Sequence, residues 1–310
     1  MNIDDIEKSV KKSRLFVAVL LGITVTGYFI WFFAIQNQPL STDSSVWGTF
    51  GDFVGGLLNP LIAYFAFYWL TVSVIVQKQE LVETKQALID SSKAQEEQVK
   101  QYNIQRFENT FFNMLSLQNE ILNTVVFNSK SISPLKNPMD ESSSSRTAFS
   151  SILRWIDSEN ENENEDGQFG TLDNYNLFQV QANQVVGHYY RNLYQIIKFI
   201  GDSSLCDDDK EKYARILRAQ LSSDEIAVLF FNCLSPKVDS GQFKSFVITY
   251  KMLEHLTVEP FFNVGFARIS TQSVHVPEVF FEQYVVRDAD GKVIESAFGT
   301  NQALKKFAIK

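Results

Sequence analysis

The hydrophobic pattern changes character several times along the chain. Leu15 to Ile35 is an uninterrupted apolar run with no charged residue, long enough as a helix to cross a hydrocarbon core of about 30 Å. A second apolar run covers about 53–76. Between them lies "QNQPLSTDSSVWGT", polar and free of Lys and Arg. Residues 77–105 turn rich in Gln, Glu, Lys and Ala without Gly or Pro, which predicts a helix. Arg106–Val125 shows helical periodicity, with Phe107, Phe111, Met114, Leu115 and Ile121 on one face. "FSSILRWIDS" is a short helix. From Leu172 to about Leu256 the helical period returns. Ser222 and Glu225 have capping-box spacing at the start of a new helix, and "GQFKSFVITYKMLEHL" reads as one more. Gly201 suits the position just past a helix end. "FARISTQSVHV", "VFFEQYVV" and "GKVIESAF" read as strands, the last two joined by an Asp-Gly turn in "RDADGK".

These elements predict a mainly α fold. It comprises an N-terminal two-helix transmembrane hairpin (1–76, helices about 15–35 and 53–76), a long linker helix (77–105), a cytosolic α-helical domain (106–260) and a small β-rich C-terminal segment (261–310). The domain is expected to carry disordered loops near 130–147 and 157–170. The acidic run "DSENENENEDG" reads as a solvated loop; a cation site is the alternative, although its spacing is not that of an EF-hand. The linker's heptad positions Leu81, Leu88, Gln95 and Tyr102 fit either a solvated stalk or a short coiled coil.

Charge fixes the expected topology. Lys8, Lys11, Lys12 and Arg14 precede the first run, Lys78, Lys85 and Lys93 follow the second, and the loop has no basic residue. The positive-inside rule then places both termini and the soluble domain in the cytoplasm, with the hairpin in the plasma membrane. The basic flank also resembles a signal peptide, but the apolar run is too long and no small-residue cleavage site follows. Trp31, Trp47 and Trp69 suit the interfaces. A net charge of −8 argues against a general nucleic-acid-binding surface. Two cysteines without a CxxC pair and three histidines without HExxH spacing predict neither a metal nor a cofactor.

The second apolar run contains residues unusual for a membrane span. Asp52, Gly56, Asn59, Ala63, Ala66 and Ser73 fall on one helical stripe, and Pro60 removes the hydrogen bond to the Gly56 carbonyl. Gly51 and Gly55 add GxxxG spacing. Unsatisfied polar groups are costly in hydrocarbon, so this stripe must meet protein or water. It can pack on the first helix or on a copy of itself, it can line a leak path in an oligomer, or Asp52 can merely cap the helix.

In the soluble part, "GHYYR" brings His188, Tyr189, Tyr190 and Arg191 together, and Arg215, Arg218 and Glu225 follow. With Glu108 and Asn109 these residues form either a buried network joining helices, with arginine paired to Glu108 or Glu225, or a polar pocket for a phosphate or nucleotide. There is no glycine-rich phosphate loop and no GxSxG.

"RFENTFFNMLSLQNEI", and "GHYYRNLYQIIKFI" followed by "YARILRAQLSSDEIAVLFFN", resemble the phage abortive-infection family sometimes called AbiC-like. "GDFVGGLLNP" ahead of a Gln-rich helix resembles its N-terminal arrangement. The resemblance covers roughly 50–125 and 185–255. It implies a membrane-anchored protein of prokaryotic antiviral defence that arrests or kills the infected cell, and it carries no catalytic residues. Such proteins also occur as effectors in larger loci, including retron-like ones with a reverse transcriptase and non-coding RNA. The implied partners are therefore the lipid bilayer, further copies of the chain, and a defence-system component or phage trigger. Many abortive-infection toxins are helical ribonucleases with an Arg and a His four to six residues apart on a helix. Arg268 and His275 match that spacing, but on a strand. The leading expectation is a non-enzymatic membrane effector. The alternatives are a tethered nuclease and a scaffold subunit without toxicity.

Overall fold

The computed structural model describes residues 3–37, 41–129, 142–158 and 170–308. Within it the chain forms two compact units, Met1–Gln101 and Tyr102–Lys310. The fold is mainly α, with short strands concentrated towards the C-terminus.

In the first unit, α1 spans Ile3–Phe29 and continues as a π-helical turn, Ile30–Ile35. Helix α2 spans Ser44–Thr124, and its residues from Tyr102 onward belong to the second unit. It therefore starts about two turns before the apolar run near residue 53. Asp43 explains the early start, because its carboxylate accepts the Ser45 N–H at 3.0 Å and so caps the new helix. The apolar span, the linker at 77–105 and the amphipathic stretch at 106–124 are one continuous helix. By length and composition, both Asp5–Ile35 and Ser44–Thr124 are apolar enough to cross a membrane.

The second unit has a single core. β1 (Val126–Phe127) pairs with β2 (Ser143–Ser144), and α3 follows at Arg146–Ser158. Residues 142–147, expected as loop, thus hold a strand and a helix start. The remaining loop expectations, at 130–141 and 159–169, lie outside the described residues. Next come α4 (Gly170–Gly201), α5 (Asp207–Arg218), α6 (Ser223–Leu234) and α7 (Gln242–Thr249). Every residue of α6 from Asp224 to Leu234 is buried, as expected of a helix enclosed on all sides.

Two expected helix ends differ. Gly201 is the last residue of α4 and has no left-handed φ. Its lack of a side chain matters instead for packing, since a Cβ there would lie 2.8 Å from the Phe246 ring. Helix α7 stops at Thr249 rather than near Leu256, and Lys251 adopts φ +53°. Its carbonyl is taken by Arg218 Nη1 at 2.8 Å, so a tertiary bond replaces the next helical one.

The C-terminal region starts with the antiparallel sheet β3 (Val258–Phe261), β4 (Phe266–Ile269) and β5 (Val274–Pro277). "VFFE", read as strand, is a short helix, α8 (Val279–Glu282). The hairpin β6 (Val285–Arg287) and β7 (Val293–Ser296) follows. Its turn is the expected one: Asp288 Oδ1 accepts the N–H groups of Asp290 and Lys292, and Gly291 has φ +78°. This region shares the unit's core. Phe281, Tyr284, Phe298, Leu304 and Phe307 are fully buried with the helices.

Candidate functional site

The stripe of α2 lies away from α1. The half-buried positions of the apolar span of α2 are Phe50, Val54, Gly55, Leu61, Phe65, Trp69, Val72 and Val76, with Leu58 the most buried at 4% exposure. On α1 the corresponding line is Ser13, Val17, Leu20, Thr24 and Tyr28. Phe16 meets Phe65 edge to face at 6.0 Å, and Tyr28 meets Phe50 at 4.5 Å. At 3.6 residues per turn, the line through Leu58 is opposite the line through Asp52, Gly56, Asn59 and Ala63.

The stripe residues Asp52, Gly56, Asn59, Ala63, Ala66 and Ser73 are exposed, as is Pro60; Ala66 also borders the groove beside α1. A Cβ built on Gly51 or Gly56 would meet nothing within 4 Å. The expectation that the stripe packs on the first helix is therefore replaced, because bulky side chains make that contact. Asp52 is not a cap, since α2 begins eight residues earlier. The helix continues through Pro60. The heptad residues Leu81, Leu88 and Tyr102 are exposed within the chain.

In the second unit the expected polar residues separate into distinct places. Glu225 is at the centre of one. Its Oε1 accepts the Tyr189 hydroxyl at 2.8 Å, and its Oε2 accepts the Ser222 N–H, closing the capping box foreseen from the sequence. Its backbone carbonyl accepts the Tyr190 hydroxyl at 2.8 Å. Burial drives both phenols well above their ordinary pKa. The arginine near Glu225 is Arg146, at 3.8 Å, rather than Arg191, Arg215 or Arg218.

Arg218 forms a second centre. Its Nη2 lies 2.6 Å from Glu254 Oε2, and Glu254 Oε1 accepts the Thr300 N–H and hydroxyl. Burial alone would raise the Glu254 carboxyl, but the two Thr300 bonds and Arg218 outweigh it and hold the group below its ordinary value. Arg215 and Asn109 are exposed. Glu108 accepts the Tyr213 hydroxyl at 2.7 Å instead of an arginine. His188 stands apart, with Nδ1 3.1 Å from the Gln184 carbonyl and Nε2 3.4 Å from Thr124 Oγ1.

Arg268 and His275 converge after all. They are directly paired across β4 and β5, with Glu259 of β3 opposite Arg268. The Arg268 guanidinium sits 5.4 Å from the Phe261 ring, and the His275 ring lies 4.3 Å from Phe266. Burial lowers the His275 pKa, partly opposed by Asp157.

Arg191 and Tyr190 line a cleft of about 320 Å³ with Asn183, Gly187, Tyr194, Asn232, Lys237, Asp239 and Phe243. A kink in α4 at Ala182, φ −139°, immediately precedes Asn183. From Asn183 a chain of bonds runs inward. Asn183 donates to Gln179 Oε1 at 2.7 Å, Gln179 donates to the Tyr175 hydroxyl at 2.6 Å, and Tyr175 donates to Asn232 Oδ1 at 2.9 Å. Sequence reasoning missed Tyr175, Gln179, Asn183, Asn232 and Lys237. On an amphipathic helix, amides read as solvent-facing unless their partners are known.

Among the described residues, no three His, Cys, Asp or Glu side chains group as metal ligands.

Residues 181–261 match the model of one protein family, described as putative phage abortive infection protein. The match covers the second of the two stretches whose motifs carry the resemblance, and every residue lining the cleft falls inside it. No curated protein and no solved structure matches the chain.

Proposed function

From the phage-defence family matched by residues 181–261, we propose that this protein is a membrane-anchored effector of abortive infection that acts by making the inner membrane leak. The hairpin of α1 and α2 spans the membrane twice, with the second unit in the cytoplasm. Copies of the chain assemble through the stripe of α2. The carrying observation is that Asp52, Gly56, Asn59 and Ala63 lie exposed on the face opposite α1, with open space over Gly51 and Gly56. Hydrocarbon is a poor environment for Asp52 and Asn59, whereas another helix or a water-filled path satisfies them. Small residues also let a second helix approach closely. The test is dye entry and membrane potential in cells expressing the full chain. Loss of potential that Asp52→Leu with Asn59→Leu prevents supports the reading; toxicity with intact potential removes it.

A second reading, a membrane-tethered nuclease, draws on the direct pairing of Arg268 with His275. It requires toxicity that survives deletion of the hairpin and disappears in His275→Ala. A third reading, a scaffold that recruits a reverse transcriptase complex, requires the chain alone to be harmless.

A further inference from the structure

The cleft of the second unit has unused hydrogen-bonding capacity of defined polarity. The relay runs one way, from Asn183 through Gln179 and Tyr175 to Asn232, and each bond polarises the next. At its end, Asn232 accepts through Oδ1, which leaves its amide N–H groups as donors. Asn232 is 2% exposed, lines the cleft, and has no partner for those N–H groups among the described residues. At its beginning, Asn183 donates one N–H and keeps Oδ1 as an acceptor. That oxygen lies against Gly187, where any Cβ would collide with it. One donor and one acceptor thus border the same cavity, held by two buried bonds and, at Asn183, a part-buried one. Asn232 is buried and Asn183 exposed, so the pair runs from the cleft floor to its rim, and a ligand that meets both amides gains two hydrogen bonds of fixed direction.

The charged lining is complementary. Arg191 and Lys237 both line the cleft, and neither has an ion-pair partner among the described residues. The carboxylate of the lining, Asp239, is engaged by the N–H groups of Gly241, Phe243 and Lys244 at the start of α7. Tyr194 and Phe243 add an aromatic wall, edge to face at 5.5 Å. A cavity of about 320 Å³ falls in the range of small-ligand sites.

We infer that this cleft binds a nucleoside monophosphate. The phosphate is held by Arg191 and Lys237, and a donor–acceptor edge of the base by Asn232 and Asn183. Two cations without an ion-pair partner among the described residues match a phosphate, the amide pair matches a base edge, and the rings match its face. Inorganic phosphate or a lipid headgroup phosphate would use the cations and leave the relay idle.

The test is calorimetric titration of the full chain in detergent micelles with AMP, GMP, CMP and UMP, alongside inorganic phosphate and glycerol 3-phosphate. At least one mononucleotide is expected to bind more tightly than either phosphate, and more weakly as salt rises. Arg191→Gln and Lys237→Gln are each expected to weaken it about tenfold, the loss of a charge-assisted bond. Both positions are exposed, so these variants keep the fold. Asn183→Leu is expected to narrow the differences among the four bases. Arg215→Gln, at an exposed arginine outside the cleft lining, leaves binding unchanged. The inference is overturned if no mononucleotide binds at millimolar concentration, if glycerol 3-phosphate or inorganic phosphate binds as tightly, or if Arg191→Gln and Lys237→Gln bind like the natural chain.

Discussion

The Tyr189 hydroxyl on α4 donates to Glu225 Oε1 at 2.8 Å, so the carboxylate that caps α6 also ties two helices together. Glu225→Ala removes the acceptor of the Ser222 N–H and of the Tyr189 hydroxyl, while Ser222 Oγ still caps the helix through the backbone N–H at that position. The expected loss is about 1–3 kcal/mol, that of buried groups deprived of a hydrogen-bond partner. Glu225→Gln retains one acceptor and loses less. Urea unfolding followed by circular dichroism measures both. A Glu225→Ala protein as stable as the natural one would show that the bond carries no weight.

Glu254 sets an acid limit. Its folded pKa is depressed below the ordinary carboxyl value near 4.5. Its stabilisation is therefore fully present above that value and is lost as pH falls through the folded pKa. Glu254→Gln should flatten the stability profile below about pH 4.5 while lowering stability at neutral pH, because it strips the nearly buried Arg218 of its charge partner. The neutral-pH cost is about 3 kcal/mol. Thermal unfolding from pH 3 to 7 checks this; parallel profiles for both proteins would contradict it.

An alkaline limit comes from the core phenols. Tyr189, Tyr190 and Tyr284 are raised well above 10 by burial, and Tyr213 is pushed up to about 12. A raised folded pKa gives stability that is present below the unfolded value near 10 and lost as pH climbs through the folded one. Phenolate absorbance at 295 nm should rise in two stages, the later one coinciding with loss of helical ellipticity. A single titration near pH 10 with the fold intact would be incompatible with these burials.

Gly56→Leu tests the outer face of α2. Nothing within the chain opposes a side chain there, so the α1–α2 contact through Leu58 and Phe65 should be unaffected. Approach of a second helix is blocked. With Cys206 replaced, Ala63→Cys should cross-link between copies in membranes, and adding Gly56→Leu should abolish the cross-link. Equal cross-linking in both backgrounds would count against assembly through this face.

Much of the helical layout is legible because burial imposes a period near 3.6 on α3, α4 and α5, and local chemistry marks the capping box at Ser222 and the turn at Gly291. The rest depends on distant residues. Arg218 finds Glu254 thirty-six positions on and Thr300 beyond it, a relationship no local window contains. The kink at Ala182 has neither proline nor glycine to announce it. Arg268 and His275 look separated in sequence, yet the hairpin register sets them side by side. The early start of α2 is hidden because "STDSSVWGT" is too polar to read as part of a membrane helix.

The packing around Phe230 bears on how the molecule can be divided. This residue of the family-matching stretch lies 5.0 Å from Tyr284 and 5.3 Å from Phe281, both beyond that stretch, and Tyr284 donates its hydroxyl to the Phe230 carbonyl. Phe298 and Phe307 close the same cluster. Residues 181–261 are thus a slice through a core rather than a transplantable module. A chimera cut at its borders would expose aromatic surface on both pieces, and a cleavage site introduced near residue 296 would open the interior instead of trimming a tail.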